Sequence, residues 1–169
     1  MGTKHFASLA LLTAVMLSCL ACDELPDESP SEASATAVAI GVPAEAASDG
    51  WKLTVTEVRR VPSIDVNGQT KQALGVYLAV GVSMENTSTK RQALGGNRFK
   101  LVDDEGRNYT WYEAGTNAHG KQELGSRINP GLTAPAVIIF DVPANATGLV
   151  LRGIGGVGIA LGDAAGTSQ

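Results

Sequence analysis

The sequence predicts an all-β chain, a two-sheet antiparallel β-sandwich preceded by a disordered tether. Three observations carry that expectation. Gly75–Thr87 alternates, with Val76, Leu78, Val80, Val82 and Met84 on one side and Tyr77, Ala79, Gly81, Ser83 and Glu85 on the other, which is the period of a strand with one apolar face. A strand of this kind needs a facing sheet to cover its apolar row. Thr133–Val142 is a second large strand, with Ala136, Ile138, Phe140 and Val142 sharing a face and Val137 and Ile139 making the other face partly apolar too. Turn signals separate roughly seven short β-rich segments, and no segment carries a convincing amphipathic helical period.

Composition sets bounds on function. The chain has 169 residues, 44% apolar and 18% charged, and about 120 remain once a leader and a tether are set aside, one domain's worth. Both cysteines, Cys19 and Cys22, lie at the end of the leader. The folded part therefore has no disulfide, no zinc ribbon and no cysteine nucleophile. Asp23–Asp49 carries seven acids and no Lys or Arg, whereas Gly50 onward holds 12 basic and 10 acidic residues. The overall charge of −4 thus belongs to the tether. A balanced domain without basic clusters offers no footprint for a phosphate backbone, so no nucleic acid partner is expected.

At the N-terminus, Lys4 and His5 precede the apolar run Phe6–Leu17, too short for a permanent transmembrane helix and of the kind found in cleaved secretory signals. Met16-Leu17-Ser18-Cys19-Leu20-Ala21-Cys22-Asp23 resembles a bacterial lipoprotein signal, in which a cysteine is lipidated and becomes the new N-terminus. Cys19 follows Ser18 and Cys22 follows Ala21. The acidic tether beginning at Asp23 favours Cys22, with Cys19 as the alternative. Multiple acyl chains, at ~0.8 kcal/mol per buried methylene, make such an anchor stable. The expected organisation is a signal peptide over 1–21, a lipidated Cys plus an acidic Ser/Pro/Ala linker over 22–49, a sandwich over 50–162 and a loose tail over 163–169. The linker lacks the bulky side chains needed to fold, although Val38–Val42 could pair as an edge strand.

Within the domain, Trp51–Val58 alternates with Trp51, Leu53 and Val55 on one face, and Pro62 ends or bends it because proline removes a ladder donor. Asn67-Gly68 marks a hairpin, since both residues accept positive φ. After the Asn86–Gly96 loop, Arg98–Val102 and Asn108–Tyr112 read as strands joined by an acidic turn with Gly106 left-handed. Glu113–Ile128 has no clear period and reads as a long loop, with a short strand near Glu123-Leu124. Asn129-Pro130-Gly131-Leu132 fits a type II turn. Leu149–Arg152 and Val157–Leu161 are the closing strands. The core is expected from alternate residues of Val76–Met84 and Ala136–Val142, the second strand meeting the first across the sandwich.

Four stretches in order, Val80-Gly-Val-Ser-Met-Glu-Asn-Thr, Phe99-Lys-Leu-Val-Asp-Asp-Glu-Gly-Arg-Asn-Tyr, Asn129-Pro-Gly and Val137-Ile-Ile-Phe-Asp-Val-Pro143, resemble the telokin-like domains of unknown function found in bacterial lipoproteins. These are similar to a secreted immunogenic bacterial antigen. The resemblance covers about residues 50 to 152 and implies an immunoglobulin-like fold and a cell-envelope location. It brings no catalytic residues with it, and this chain departs from it in a longer Glu113–Ile128 loop and a Gly-rich end.

Several clusters hold residue types used in chemistry. Gly153-Ile-Gly-Gly-Val-Gly158 fits G-x-G-x-x-G by letter, but no helix and no later acid succeed it. Asp103, Asp104 and Glu105 lack calcium-loop spacing and read as a solvated turn. His119 has no nucleophile elbow to serve. No cofactor, metal or catalytic residue is expected. Asn86, Asn108 and Asn145 begin N-x-Ser/Thr triplets that, behind a bacterial-type leader, are turn residues. Tyr109, Trp111 and Tyr112 are the densest aromatics. Tyr109 and Trp111 share a strand face, where a tryptophan either fills the core or offers a platform. The expectation is a lipid-anchored, extracytoplasmic interaction module rather than an enzyme, held to the membrane by its N-terminal lipid. Its partner would be an envelope protein or another ligand, reached through the Asn86–Gly96 and Glu113–Ile128 loops. The candidate binding residues are Tyr109, Trp111, Tyr112, Lys90, Arg91, His119 and Lys121. Small-ligand or glycan binding is the alternative, and a hydrolase a distant one.

Overall fold

The computed structural model describes residues 36–38, 44–119 and 124–162. Cys19, Cys22 and Lys121 lie outside them. The chain runs β1 (Thr36–Val38), β2 (Ala44–Ser48), β3 (Trp51–Val66), β4 (Gln69–Asn86), β5 (Gln92–Ala93), a 3₁₀ turn (Gly96–Arg98), β6 (Lys100–Val102), β7 (Asn108–Thr110), α1 (Glu113–His119), β8 (Arg127–Ile128), β9 (Thr133–Val142), β10 (Val150–Arg152) and β11 (Gly158–Ala160). All pairings are antiparallel. One sheet has the order β1-β3-β4-β9, with β2 also on β3; a second has β11-β10-β6-β7; β5 and β8 form a small ribbon. The antiparallel two-sheet class predicted from the sequence is the architecture present.

Two corrections concern the sheet that holds the long strands. β4 and β9 do not face each other across the core. They are hydrogen-bonded neighbours, in register from Val76↔Val142 to Glu85↔Thr133. Alternation reports which face of a strand is apolar, not whether its partner lies beside it or opposite. The layer opposite is the β11-β10-β6-β7 sheet, whose Leu101, Leu151 and Ile159 join Leu53, Leu78, Val80, Val82, Met84, Ile138 and Phe140 in the main core. The sheet also begins before Gly50. Ala44–Ser48 and Thr36–Val38, assigned by composition to the linker, pair with Trp51–Val55 and Val58–Arg60 of β3. A backbone ladder needs no bulky side chain, so composition is blind to it.

β3 is longer than the alternation suggests because it changes face twice. Its register against β4 shifts between Val55 and Glu57 and again between Val61 and Ser63. Each bulge inverts the parity of the residues beyond it. Trp51, Leu53 and Val55 point to the main core, Val58 joins them after the first bulge, and Ile64 and Val66 after the second belong to a separate cluster with Tyr77, Ala79 and Ile139. Pro62 sits in the second bulge, where its missing donor does least harm. The hairpin beyond closes at Asn67 (φ 55) and Gly68 (φ 77), as the Asn-Gly pair requires.

The second cluster lies under α1, which replaces part of the long loop expected over Glu113–Ile128. Glu113-Ala-Gly-Thr-Asn-Ala-His119 has weak helix propensity and no apolar stripe. It is held by tertiary contacts. The Thr116 hydroxyl accepts the Ile139 N–H at 2.9 Å, and Gly115 packs so closely on Ile64 and Tyr112 that a Cβ there would lie 2.6 Å from each. The short strand falls at Arg127–Ile128 rather than at Glu123-Leu124.

At the far end of β4, Asn86 is wholly buried and joins three segments. Its Nδ2 donates to the Lys90 and Ile128 carbonyls, both at 2.8 Å, and its Oδ1 accepts from Ser88 and Gln92. Its backbone pairs with Gly131 and Leu132. The Asn86–Gly96 segment is therefore pinned to the Ile128–Leu132 turn.

Candidate functional site

The two sheets share one backbone contact and then part. Trp111, just after β7, bridges antiparallel to Phe140 of β9, and the Tyr112 N–H donates to the Ile139 carbonyl at 2.6 Å. On the other side of that bridge β7 stays with β6 and β9 stays with β4, so a wedge opens between them. The wedge is a cleft of about 580 Å³. Tyr77, Tyr109, Trp111 and Tyr112 line it, with Asn108 and Thr110 on the β7 wall and Lys71, Gln72, Leu74 and Asp141 on the opposite wall.

The aromatic lining is rigid. Tyr77 and Tyr112 stack with centroids 5.6 Å apart and planes within 5°, a geometry that adds to their buried area. Burial raises the Tyr77 pKa, with Tyr112 and Asp141 adding to it, so the phenol stays neutral. Trp111 packs against the main core as well as lining the cleft. Its ring lies flush on Gly96, where a Cβ would sit 2.6 Å from it. Tyr109 donates its hydroxyl to Asp103 at 2.6 Å, and the same carboxylate accepts the Arg107 N–H at 2.8 Å and its guanidinium Nε. Burial alone would raise the Asp103 pKa; the hydrogen bonds from Tyr109 and Arg107 outweigh it and bring it to about 2. The Tyr109 pKa moves up, through burial and then the bond to Asp103. Asp103 is thus a structural carboxylate that fixes one cleft wall.

The opposite wall is a built bulge. Between Val61↔Tyr77 and Ser63↔Gln72, β4 carries extra residues that β3 does not match. The Asp141 carboxylate gathers the loosened backbone, accepting the Leu74 N–H at 2.9 Å and the Gly75 N–H at 3.1 Å. Gly75 passes so near β9 that a Cβ would lie 2.2 Å from the Val142 carbonyl. The result is that Leu74 stands fully exposed, 101% by relative area, at the cleft rim.

The seven residues proposed from the sequence are not all brought together. Tyr109, Trp111 and Tyr112 share the cleft. His119 ends α1, with Nε2 2.7 Å from the Asp65 carbonyl, beside a separate hollow of about 340 Å³ that also borders Arg59 and Ile64. Lys90 and Arg91 lie beyond Asn86, eight residues along β4 from Leu78, roughly 26 Å at strand rise. The Arg91 Nε donates to the Arg127 carbonyl at 3.3 Å. Sequence reasoning missed Tyr77, Leu74, Lys71 and Asp141. Alternation puts Tyr77 on the polar side of its strand and Leu74 on the core side, and only the bulge and α1 reverse those assignments. Among the described residues no group of three or more His, Cys, Asp or Glu side chains could hold a metal ion.

Residues 41–158 match the family of domains of unknown function DUF4352. The chain is a DUF4352 protein. Its match begins just before β2 and ends at the start of β11, so the cleft lies wholly inside the DUF4352 region. Among solved structures, the domain is similar to the yjhA protein from Bacillus subtilis, at 20% identity over 66% of this chain and 76% of that one, TM-score 0.50. It is also similar to a conserved hypothetical protein from Bacillus anthracis, at 11% identity over 78% of this chain and 99% of that one, TM-score 0.56. These likenesses bear on the fold. No match was found among curated proteins.

Proposed function

We propose that this DUF4352 protein is a lipid-anchored, extracytoplasmic binding module, not an enzyme, and that it holds a protein partner at the aromatic cleft. The observation that carries the reading is Leu74, kept fully exposed by a bulge that Asp141 and Gly75 build for it. An apolar side chain presented rigidly beside an aromatic hollow gains nothing for the fold and suits a contact hot spot, where ordering costs are already met. The anchor rests on the leader, in which Cys22, or Cys19 as the alternative, would be lipidated and the acidic segment after it would act as a spacer. The telokin-like, immunoglobulin-like relationship suggested by the sequence motifs fits an envelope location. A glycan is the second reading, favoured by the amide and hydroxyl groups of Gln72, Asn108 and Thr110 beside the aromatic rings.

The test is a crosslinking pull-down from intact cells with the anchor in place, comparing the wild type, Leu74→Asp and a Lys90→Ala/Arg91→Ala pair. Loss of the crosslinked protein in Leu74→Asp alone supports the reading; equal recovery by all three sinks it. Lipid labelling should vanish in Cys22→Ala and persist in Cys19→Ala, and the reverse pattern moves the anchor to Cys19.

A further inference from the structure

We propose that the partner presents an extended polypeptide segment, a bulky apolar side chain flanked by acidic residues, which enters the wedge and adds to the outer edge of β7. This deepens, and rests on, the reading of the cleft as the contact surface.

Three features of the wedge converge on such a ligand. First, β7 has a strand neighbour only on its β6 side. Asp103 N–H donates to the Arg107 carbonyl at 3.2 Å, so by the alternation of an antiparallel ladder Tyr109 turns its backbone groups toward β6, and Asn108 and Thr110 turn theirs toward the wedge. An incoming strand is the ligand whose donors and acceptors match such an edge. The comparable edge of β9 is already blunted: Ile139 is taken by Tyr112 and Thr116, and Pro135, at the same parity, has no donor to offer. Second, a strand laid on β7 turns alternate side chains into the hollow between Trp111 and Leu74, which suits one bulky apolar residue. Third, the charge of the wedge is unbalanced. The Asp141 carboxylate is committed to the Leu74 and Gly75 N–H groups, while Lys71 bonds only the Gln69 side-chain oxygen, at 2.9 Å, and has no acidic partner among the described residues. An acid beside the apolar residue would meet Lys71.

The experiment selects binders to the full-length protein from a library of acetylated heptapeptides with Leu fixed at the centre and every other position randomised. Selected peptides should carry Asp or Glu beside the Leu. Their affinity should fall about tenfold or more when alternate backbone N–H groups are methylated, and similarly on Leu74→Asp, whose melt stays at the wild-type value. Lys71→Glu should turn the acid preference into a preference for Lys or Arg. No selected peptide, indifference to N-methylation, or an acid preference that survives Lys71→Glu would overturn the proposal. If one of those results is found while Leu74→Asp still loses its crosslinked protein in the pull-down, the contact surface stands and the extended-segment proposal alone falls. A dimer in sedimentation equilibrium that Leu74→Asp abolishes would overturn it in favour of a second copy of this chain.

Discussion

Two side chains hold this domain by opposite kinds of polar satisfaction. Asn86 is neutral and buried, and both ends of its amide are used. Asn86→Asp keeps the size and the accepting oxygen but removes the donors to Lys90 and Ile128, leaving two carbonyls unmatched. Either Asn86→Asp or Asn86→Ala should destabilise by about 2–4 kcal/mol in urea titrations. Asp103 is ionised and owes that state to Tyr109 and Arg107. Its folded pKa of about 2 is below the ordinary 3.8, so its contribution to stability is complete above the unfolded value and is lost as pH falls through about 2. Stability followed from pH 5 down to pH 2 should show that loss, and Asp103→Asn should flatten it. An unchanged profile in Asp103→Asn would place the acid sensitivity elsewhere. Leu74 is the counterexample on the same scale, an apolar side chain with no packing role: Leu74→Asp should leave the melt within about 0.5 kcal/mol of wild type.

At the scale of elements, the features legible in the sequence are those that period two and turn chemistry can report. They located β4 and β9 and their apolar faces, the Asn67-Gly68 hairpin, the turn at Gly106 (φ 79) and the Asn129–Leu132 turn, whose Leu132 N–H bonds the Asn129 carbonyl at 3.2 Å. Alternation could not carry parity through the bulges of β3, and so Ile64 and Val66 had no place. Nor could propensity find α1, whose helix exists because Thr116 meets Ile139 and Gly115 admits Ile64. Thr116→Val tests that account. It preserves shape, removes the acceptor of a buried N–H, and should cost about 1–3 kcal/mol, with hydrogen exchange rising first at Ile139 and through α1. Exchange rising equally across β4 would mean that α1 has no separate stability. Of the candidate site, the Tyr109–Tyr112 wall was visible because its aromatics are close together in the chain. The Leu74–Asp141 wall joins residues 67 positions apart and depends on a bulge that alternation reads as ordinary strand.

For the whole molecule, the place where the two sheets touch and separate is also where its unmatched features gather. The bridge at Trp111 and Phe140 fixes the apex of the wedge, and Asp103 and Asp141 stiffen its walls from either side. The opposite end, where Lys90 and Arg91 lie, is tied down by Asn86. A binding role therefore belongs to the wedge and not to the long loops first expected to carry it. The most direct measurement installs a photo-crosslinking side chain at position 74 or at position 90 of the anchored protein and illuminates intact cells. A discrete protein adduct from position 74 with none from position 90 is the predicted result; an adduct from position 90 with none from position 74 would contradict it.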